Sequence, residues 1–205
     1  MADFDLIQIG SNIGNLYNDH YFDQIKDCHQ CIFVEPIPKY FDLLVQNYRN
    51  KYPNNKFIFE NLAISDNQEP IELYYPSDRN DFKILPWCIE QLGSKDKHHV
   101  ENHGYKIEMD KITLNPITLN QLFEKHQVQN VYVLSIDTEG HDYEILKSFD
   151  LKKYRPKFIE FEHIHIDGYI KQGERYEDIL EYLLANKYSV YKVDHFDTIV
   201  KRNEK

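Results

Sequence analysis

Two segments far apart in the sequence carry the residue types that a cofactor site needs. In residues 7–15 and again in residues 134–144, an apolar run breaks into small or acidic residues and then takes a helix-like pattern. In open α/β sheets, ligands bind where strands give way to loops at their carboxyl ends. Because glycine lets the chain turn tightly and a ligand approach the backbone, we expect Gly10, Asn12 and Gly14 to lie at such a site.

A glutamate marks the end of the second apolar run. Glu35 follows residues 31–34 and lies about twenty residues beyond the first loop, the spacing of the ribose-binding acid in dinucleotide-binding folds. A carboxylate there can accept hydrogen bonds from both ribose hydroxyls. The alternative is a glutamate that only stabilises the start of the next helix through the helix dipole. The loop that precedes it favours the ribose interpretation.

Acidic and histidine side chains gather where the predicted fifth strand ends. If that strand continues, its alternation places Glu160 and Glu162 on one face and His163 and His165 on the other. A hydroxyl that attacks an electrophile must lose its proton, and a histidine or carboxylate within hydrogen-bond reach can take it. The candidate bases are His163, His165 and His141, the last of which follows a predicted turn. The alternative is a polar strand end that water solvates at the rim of the sheet.

The same region offers carboxylates for a metal ion. Asp137, Glu139 and Glu162 could hold a divalent cation, and oxygen ligands of this kind suit magnesium. Elsewhere, Cys28 and Cys31 have a spacing that also occurs in zinc and redox sites. Zinc sites usually need a second pair of ligands, which this chain lacks. We therefore interpret these two cysteines as ordinary thiols.

The elements that position these residues alternate between strands and helices, which predicts a parallel α/β sheet. The predicted strands span residues 4–9, 31–34, 56–65, 70–75, 131–136 and 157–161. The predicted helices span residues 13–25, the segment from the prolines at 36 and 38 to residue 52, 118–126, 143–149 and 175–186. Thr118 and Gln121 predict a capping box. A closing pair, residues 188–193 and 198–201, predicts a seven-stranded sheet whose last strand is antiparallel.

An irregular stretch interrupts this alternation at about residues 76–115. Variable loops at the edge of a sheet carry substrate choice, so we expect this insertion to cap the site. Within it, Trp87, Gln91 and Ser94 could touch the cofactor or the substrate.

The length and net charge of the chain argue against some classes of function. The 205 residues suit a single domain, residues 1–205, and the 41% of hydrophobic residues suffice for a core. A formal net charge of −10 argues against binding to a nucleic-acid backbone, which usually needs a basic patch. No apolar run approaches the roughly 20 residues that span a bilayer, and the acidic start does not resemble a signal peptide. We therefore expect a soluble cytoplasmic protein that binds no membrane.

The order of these motifs resembles that of FkbM-type methyltransferases. The resemblance covers about residues 4–162 and is carried by segments 10–15, 34–38, 61–65, 136–146 and 156–162. It implies an S-adenosylmethionine-dependent enzyme with the Rossmann-like α/β fold of class I methyltransferases. Such an enzyme transfers a methyl group to a hydroxyl, here of a sugar, a glycan or a similar small molecule.

The resemblance also implies a role for each cofactor residue. Gly10, Asn12 and Gly14 would hold the methionine part, Glu35 the ribose, and Asn61, Leu62 and Ala63 would border the adenine, while Asp137 would lie near the cofactor amine or the reacting centre. The family usually has an acidic residue where this chain has Gln8. An amide cannot neutralise the ammonium group of the cofactor, so Asp137 would carry more of that task.

Three other functions stay open at this point. An NAD-dependent sugar oxidoreductase or epimerase would need a third glycine in the first loop, and the loop has two. A non-catalytic binding module with the same fold would bind the cofactor without turnover, or not bind it. Methylation of an RNA 2′-hydroxyl would need a basic groove, which the net charge disfavours. The sequence leaves a homo-oligomer open and does not identify the acceptor.

Overall fold

Strands and helices alternate along the part of the chain that the computed structural model describes, residues 2–15, 19–83, 85, 89, 92–98, 102, 104 and 106–204. The strands are β1 (Ala2–Ile9), β2 (Cys31–Val34), β3 (Ile58–Glu60), β4 (Ile64–Ser65), β5 (Ile71–Pro76), β6 (Met109–Leu114), β7 (Ile117–Thr118), β8 (Val128–Ile136), β9 (Phe158–Glu162), β10 (Tyr188–Val193) and β11 (Asp197–Arg202). The helices are α1 (Tyr21–Gln24), α2 (Pro38–Lys51), α3 (Leu119–Lys125), α4 (Asp142–Ser148) and α5 (Glu174–Ala185), and a 3₁₀ turn, Ile25–Asp27, follows α1. None of the helices in these described residues is long and apolar enough to cross a membrane.

Seven strands form the main sheet, in the order β10-β11-β9-β8-β1-β2-β3. Neighbours from β9 to β3 pair in parallel, whereas β11 lies between β9 and β10 and runs antiparallel to both. The prediction of a mostly parallel seven-stranded sheet with a C-terminal antiparallel hairpin is therefore confirmed. Because β3, β2, β1, β8 and β9 run in one direction, the loops that follow them meet at one edge of the sheet.

Helices cover the sheet on both faces. One core cluster joins the central strands to α3 and α5 and includes Ile32, Phe123 and Leu183. The second cluster joins the next residue of β2, Phe33, to Tyr48 of α2, with 4.2 Å between their ring centroids. All four residues of β2 are buried, as expected of a parallel strand that is covered on both faces.

The start of α3 carries the predicted capping box. The Thr118 hydroxyl accepts a hydrogen bond from the Gln121 backbone N–H at 3.2 Å, and the Gln121 side chain accepts one from the Thr118 N–H at 2.9 Å. Two backbone donors at the helix start are thereby satisfied, which stabilises the helix end. This prediction from four residues of sequence is confirmed.

The helix predicted over residues 13–25 is wrong in the residues that the structure describes. Asn12 and Gly14 have φ angles of 45° and 78°, which a right-handed helix does not contain. Helix α1 begins only at Tyr21 and is four residues long. Residues 16–18, which supplied part of the apolar pattern, lie outside the described residues.

The strand predicted over residues 56–65 is two strands. β3 ends at Glu60, and the chain leaves the main sheet before β4, which pairs in parallel with β7. The Asn61 side chain donates to the backbone oxygens of Glu35 and Pro36, at 2.9 and 3.2 Å, and holds the chain at this departure. The sequence pattern missed the break because apolar residues occur on both sides of it.

The stretch predicted to be irregular, residues 76–115, contains a strand. β6 pairs antiparallel with β5 over six residue pairs, and the two form a separate small sheet. β5 thus pairs with β6 and not with β4, the strand that precedes it in the chain. Only alternate residues at the end of β6 are partly buried, so its sequence carries a weak strand signal.

The two described cysteines, Cys28 and Cys31, are free thiols. Cys31 is fully buried, and burial raises the pKa of both thiols. A raised pKa disfavours the thiolate that binds metals and attacks disulfides. The interpretation of this pair as ordinary thiols is consistent with both observations, and Cys88 lies outside the described residues.

Candidate active site

The loops after β1 and β8 cross closely at the edge of the sheet. The Asp137 N–H donates to the Ile9 carbonyl at 3.0 Å, and the Gly10 N–H donates to the Val34 carbonyl at 3.0 Å. Gly10 has a φ of +80°, and a Cβ built on it would lie 1.7 Å from the Asp137 carbonyl oxygen. Only glycine fits this crossing. Gly10 and Asp137, singled out separately in the sequence, are therefore neighbours.

Glu35 is held at the end of β2 by two backbone donors. Its Oε2 accepts the Asn12 N–H at 2.9 Å, and its Oε1 accepts the Ile37 N–H at 2.7 Å. Only 4% of the residue is exposed, and this burial raises the pKa of Glu35 to about 7 despite both hydrogen bonds. Each carboxylate oxygen has a second lone pair. Glu35 can therefore still accept hydrogen bonds from two hydroxyl groups.

Gly14 has a packing role that differs from that of the rest of the first loop. Its φ is +78°, and a Cβ built on it would lie 2.4 Å from the Tyr48 ring and 2.8 Å from the Leu44 side chain. Gly14 therefore lets the loop pack against α2. Asn12, by contrast, lines the cavity described next and donates its N–H to Glu35.

One cavity extends along this edge of the sheet, across the ends of β3, β2, β1 and β8. Apolar side chains line its β3 end, namely Leu62, Ala63, Ile64, Ile71 and Leu73. Polar side chains line its opposite end, namely Gln8, Asp19, Tyr21, Ser135, Glu160 and Asp197. Glu35 and Asp137 lie between them. The Asn61 side chain does not line this cavity, and it affects the cavity only by holding the chain that leaves β3.

Acidic side chains crowd the polar end of this first cavity. The Tyr21 hydroxyl donates to Glu160 Oε2, and His20 Nε2 lies 3.6 Å from the same oxygen. Asp197 is the first residue of β11, and burial together with the Glu160 carboxylate raises its pKa to about 7. Neither Tyr21 nor Asp197 was predicted from the sequence, and only the position of β11 beside β9 brings Asp197 to this cavity.

Asp142 fixes the acidic loop that follows β8. It is fully buried, its Oδ2 accepts the N–H and hydroxyl of Thr138 at 3.2 and 2.7 Å, and its Oδ1 accepts the Glu162 N–H at 3.3 Å. Burial raises the pKa of Asp142 to about 7. Glu139, in the same loop, has a φ of 53°, a strained conformation for a residue with a side chain. Asp142 thus positions the loop that carries Asp137 and Glu139.

Glu139, Glu162 and His165 form a cluster whose oxygen and nitrogen ligand atoms lie within 4.8 Å of one another. His165 Nε2 is 3.8 Å from Glu162 Oε1 and 4.0 Å from Glu139 Oε2. Glu162 Oε2 is buried and has no hydrogen-bond partner among the described residues. Burial, together with Asp137 and Glu139, raises the pKa of Glu162 well above its ordinary value. A proton or a cation would stabilise this cluster.

The tautomer of His165 follows from a backbone contact. The Ile170 N–H donates to His165 Nδ1 at 3.1 Å, so Nδ1 carries the lone pair and Nε2 carries the proton of the neutral ring. Nε2 therefore faces Glu139 and Glu162 as a donor. Metal-bound histidines usually have the opposite arrangement, with the lone pair on the metal and the other ring N–H donated to a partner. This contact opposes a role of His165 as a metal ligand or as a base.

The strand alternation predicted beyond Glu162 is wrong for His165. β9 ends at Glu162, and the chain then turns, which brings His165 beside Glu162 instead of to the opposite face. His163 does face away. Its Nδ1 lies 2.9 Å from Thr198 Oγ1, its ring centroid lies 5.2 Å from that of Tyr176, and it lines neither cavity of the site.

His141 lies where the first cavity adjoins a second one. His141, Glu139 and Lys95 line both cavities. His141 Nδ1 is 3.4 Å from Glu144 Oε2, and its Nε2 is 3.0 Å from the Ser65 hydroxyl. The Ser65 hydroxyl donates its proton to Asp66 Oδ1 at 3.0 Å, so it accepts the hydrogen bond from His141 Nε2, and another hydroxyl would have to displace Ser65 to reach that nitrogen.

The second cavity has mostly polar walls. Its lining includes Asp66, Asn67, Asp96, Glu144, Asp167, Tyr169 and Arg175. The Tyr169 ring stacks on the His165 ring, with centroids 5.6 Å apart and planes at 17°. Ser94 of the insertion donates to the Glu139 carbonyl at 2.9 Å, so the described part of the insertion contacts the site. Trp87 and Gln91 lie outside the described residues.

Comparisons with known proteins agree with the motifs and the fold. A family model described as "Methyltransferase FkbM domain" matches residues 8–190, which confirms the resemblance inferred from the motifs. The crystal structure of methyltransferase FkbM from Methylobacillus flagellatus KT resembles this chain with a TM-score of 0.56 at 12% identity. The match covers 98% of this chain and 44% of that chain, so this chain spans less than half of that protein's length.

A second solved structure shows a weaker likeness. M. capricolum TrmK, solved in complex with S-adenosyl-homocysteine, gives a TM-score of 0.45 at 11% identity, covering 98% of this chain and 63% of that chain. That likeness is too distant to inform the site. A search of curated proteins found no match to this sequence. The sheet order and the family match together identify the Rossmann-like fold of class I methyltransferases.

Proposed function

Because this chain belongs to the FkbM methyltransferase family, we propose that it transfers a methyl group from S-adenosylmethionine to a hydroxyl of a sugar, a glycan or a similar small molecule. The observation that carries the proposal is a pair of adjoining cavities that share Glu139 and His141. The first has an apolar end and an acidic end, which suit a nucleoside with a charged tail. The second has polar walls, which suit a hydroxylated acceptor. Donor and acceptor would meet where the cavities adjoin.

The first cavity would hold the adenine against Leu62 and Ala63 and the ribose hydroxyls on Glu35. This placement is supported by the two accepting oxygens of Glu35 and by the apolar residues beside it. When bound, the cofactor supplies a methyl group that its sulfonium already activates. Gly10 would allow close approach of the backbone to the ligand. Burial and the Glu139 carboxylate raise the pKa of Asp137, and a positive charge nearby would favour its ionised form.

His141 is the base that the geometry favours among the three candidate histidines. It lies where the cavities adjoin, and Glu144 beside Nδ1 would stabilise the protonated ring once the acceptor hydroxyl replaces Ser65 at Nε2 and gives up its proton there. His165 has its Nε2 proton directed at Glu139 and Glu162, so we assign it a positioning role. His163 lines neither cavity, and no part in proton transfer is proposed for it.

A divalent cation such as magnesium is a second element of the proposal. Glu139 and Glu162 have ligand atoms within 4.8 Å of each other, and Asp137, which is not part of that cluster, acts on the Glu162 carboxyl through its charge. A cation held by these carboxylates would replace the protons that they otherwise retain, and it could orient two hydroxyls of the acceptor. The His165 N–H would then orient the carboxylates, as residues next to metal ligands commonly do.

The proposed methyltransferase domain is a single one that spans residues 1–205, with the insertion at about residues 76–115 as a cap over the site. Two contacts support the cap. Lys95 lines both cavities, and the Ser94 hydroxyl holds the carbonyl of Glu139. A cap that touches both cavities would influence which acceptor enters and would exclude water from the transfer.

Transfer of a labelled methyl group from S-adenosylmethionine to a panel of acceptors tests the proposal. The panel contains neutral sugars, amino sugars, short glycans, single-stranded RNA and a thiol, each with magnesium or with EDTA. We expect product on a sugar or glycan hydroxyl and none on RNA, and loss of product in EDTA would support the cation. Product on RNA or the thiol alone would contradict the acceptor class. Binding of NAD without binding of S-adenosyl-homocysteine would contradict the methyltransferase itself.

A further inference from the structure

The polar end of the first cavity contains a hydrogen-bond acceptor without a donor. Gln8 lies on β1, is 7% exposed and lines this cavity, and its Nε2 donates to Asp19 Oδ2 at 3.2 Å. A carboxylate only accepts, so this contact fixes which end of the amide faces Asp19. Among the described residues, Gln8 Oε1 has no hydrogen-bond partner. A buried amide oxygen in this state is costly, so a ligand that donates to it would bind favourably.

Asp19 adds negative charge beside that oxygen. It also lines the cavity, and its Oδ1 accepts the N–H groups of Tyr21 and Phe22 at 2.9 and 3.3 Å. These partners, like the Gln8 amide, are neutral, and the neighbouring His20 lies against Glu160 instead. Burial raises the pKa of Asp19 to about 6. No lysine or arginine among the described residues pairs with this carboxylate, and the neighbouring His20 acts on it only through its charge, so a cationic ligand could provide a direct partner.

The order of the strands indicates which part of the cofactor reaches Gln8 and Asp19. Along the sheet edge the order is β3, β2, β1 and β8. A cofactor with its adenine at Leu62 and its ribose at Glu35 must extend its amino-acid tail onward over β1. Gln8 is the second-last residue of β1. The tail carries an ammonium group, which has three N–H donors and a positive charge.

We propose that Gln8 and Asp19 together bind the ammonium group of the cofactor's amino-acid tail. The proposal rests on the proposed function, in which the first cavity binds S-adenosylmethionine. Gln8 Oε1 accepts one N–H of the ammonium group, and Asp19 supplies the charge that an amide lacks. Asp19, and not Asp137 as expected from the sequence, thus neutralises the ammonium group. Asp137 then lies toward the reacting centre.

Two ligands that differ in the tail separate this role from general effects on the cavity. S-adenosyl-homocysteine has the ammonium group, and 5′-methylthioadenosine lacks the whole amino-acid tail, while both have an uncharged sulfur. Calorimetry measures their affinities for the unmodified protein and for Asp19→Asn. An asparagine retains an oxygen for the N–H groups of Tyr21 and Phe22. Asp23→Asn is the matched control, because it removes the same charge from an exposed carboxylate on α1.

Asp19→Asn should lower the affinity for S-adenosyl-homocysteine by about tenfold or more, since a charge-assisted hydrogen bond is lost. It should change the affinity for 5′-methylthioadenosine by less than about twofold, and Asp23→Asn should change neither. Adding Gln8→Glu to Asp19→Asn should restore much of the lost affinity, because the charge returns next to the same place. Gln8→Met, which keeps the volume and removes the acceptor, should also weaken only the ligand that has the tail.

Equal weakening of both ligands in Asp19→Asn would show that Asp19 only shapes the cavity, and the proposal would be wrong. Unchanged affinity for S-adenosyl-homocysteine in both Asp19→Asn and Gln8→Met would also overturn it. Should Asp19→Asn fail to fold, the same comparison of the two ligands in Gln8→Met decides the matter. Failure of the unmodified protein to bind either ligand is a different result, because it contradicts the proposed function itself.

Discussion

The two cavities of the site are built in different ways. The first is fixed by the backbone, because Gly10 crosses beside the Asp137 carbonyl and two N–H groups hold Glu35. The second is bordered by charged side chains, and at its edge the ligand atoms of Glu139, Glu162 and His165 lie within 4.8 Å of one another. A site fixed by the backbone has its shape before any ligand arrives. A site made of carboxylates instead changes its charge with the protons and cations that it binds.

The largest effect should come from a change to the backbone crossing of the first cavity. Gly10→Ala places a Cβ 1.7 Å from the Asp137 carbonyl oxygen, so the two loops must move apart. We expect a loss of about 3 kcal/mol or more in the free energy of unfolding, and loss of S-adenosyl-homocysteine binding. Urea unfolding and calorimetry measure the two effects.

Gly168→Ala is the matched control at the second cavity. Gly168 has a φ of +118°, but no atom lies within 4 Å of a Cβ built on it. Only conformational strain should appear, about 1 to 2 kcal/mol. Equal effects of the two substitutions would show that the crossing at Gly10 is not close enough to hold the first cavity.

The next largest effect should be on turnover at the place where the cavities adjoin. His141→Asn should lower turnover by about a hundredfold or more, because the proposed base is lost, while the affinity for S-adenosyl-homocysteine changes by less than about twofold. His163→Asn should leave turnover unchanged in the folded protein, since His163 lines neither cavity. A loss of turnover in His163→Asn that matches the loss in His141→Asn would refute this assignment.

Three buried carboxyl groups in and beside the first cavity predict the pH dependence of stability. Glu35, Asp142 and Asp197 have pKa values of about 7 in the folded protein, raised by burial from their ordinary values. The folded state therefore binds more protons than the unfolded state between about pH 4 and pH 7, and the free energy of unfolding falls as the pH rises through that interval. We expect a fall of about 2 kcal/mol or more, measured by urea unfolding.

Isosteric variants show which of these carboxyl groups cause that fall. Asp142→Asn removes a carboxyl group of raised pKa at the start of α4, and Glu35→Gln removes one from the first cavity. Each should flatten the pH dependence. A stability that rises between about pH 4 and pH 7 would show that paired surface carboxylates with lowered pKa values dominate instead.

The smallest predicted effect is a gain in stability. Glu162→Gln removes a buried carboxyl whose Oε2 has no partner among the described residues, so we expect the free energy of unfolding at about pH 8 to rise by about 1 kcal/mol. Glu181→Gln, at an exposed position of α5, should change it little. If magnesium binds at Glu162, turnover of Glu162→Gln should also depend less on magnesium than turnover of the unmodified protein does. A destabilised Glu162→Gln would mean that the charge of Glu162 is balanced by a contact of the folded chain.

The parts of the site that could be predicted from the sequence are local. Glu35 and Gly10 each end an apolar run, so a few neighbouring residues indicate both the strand and the residue at its carboxyl end. The capping box of Thr118 and Gln121 is local in the same sense. The alternation of strands and helices indicates a mostly parallel sheet, and that prediction is confirmed, whereas the order of the strands comes only from the structure.

The parts that the sequence analysis missed depend on contacts between distant segments. Asp19 lay within a predicted helix, and only the positive φ angles of the first loop show that the helix does not form there. Asp197 reaches the cavity because β11 lies beside β9. The position of His165 depends on the end of β9 at Glu162, which the sequence does not mark, because the alternation of histidine and isoleucine over residues 163–166 continues the strand period.

Calorimetric binding of S-adenosyl-homocysteine, repeated with Glu35→Ala, tests the central claim that the first cavity is a cofactor site. Glu69→Ala is the control, because Glu69 is exposed and lies in the turn before β5. The account predicts binding to the unmodified protein, the same affinity in Glu69→Ala, and a loss of about tenfold or more in Glu35→Ala, since two ribose hydroxyls lose their acceptor. Equal affinity in Glu35→Ala and the unmodified protein would contradict the placement of the cofactor across the end of β2.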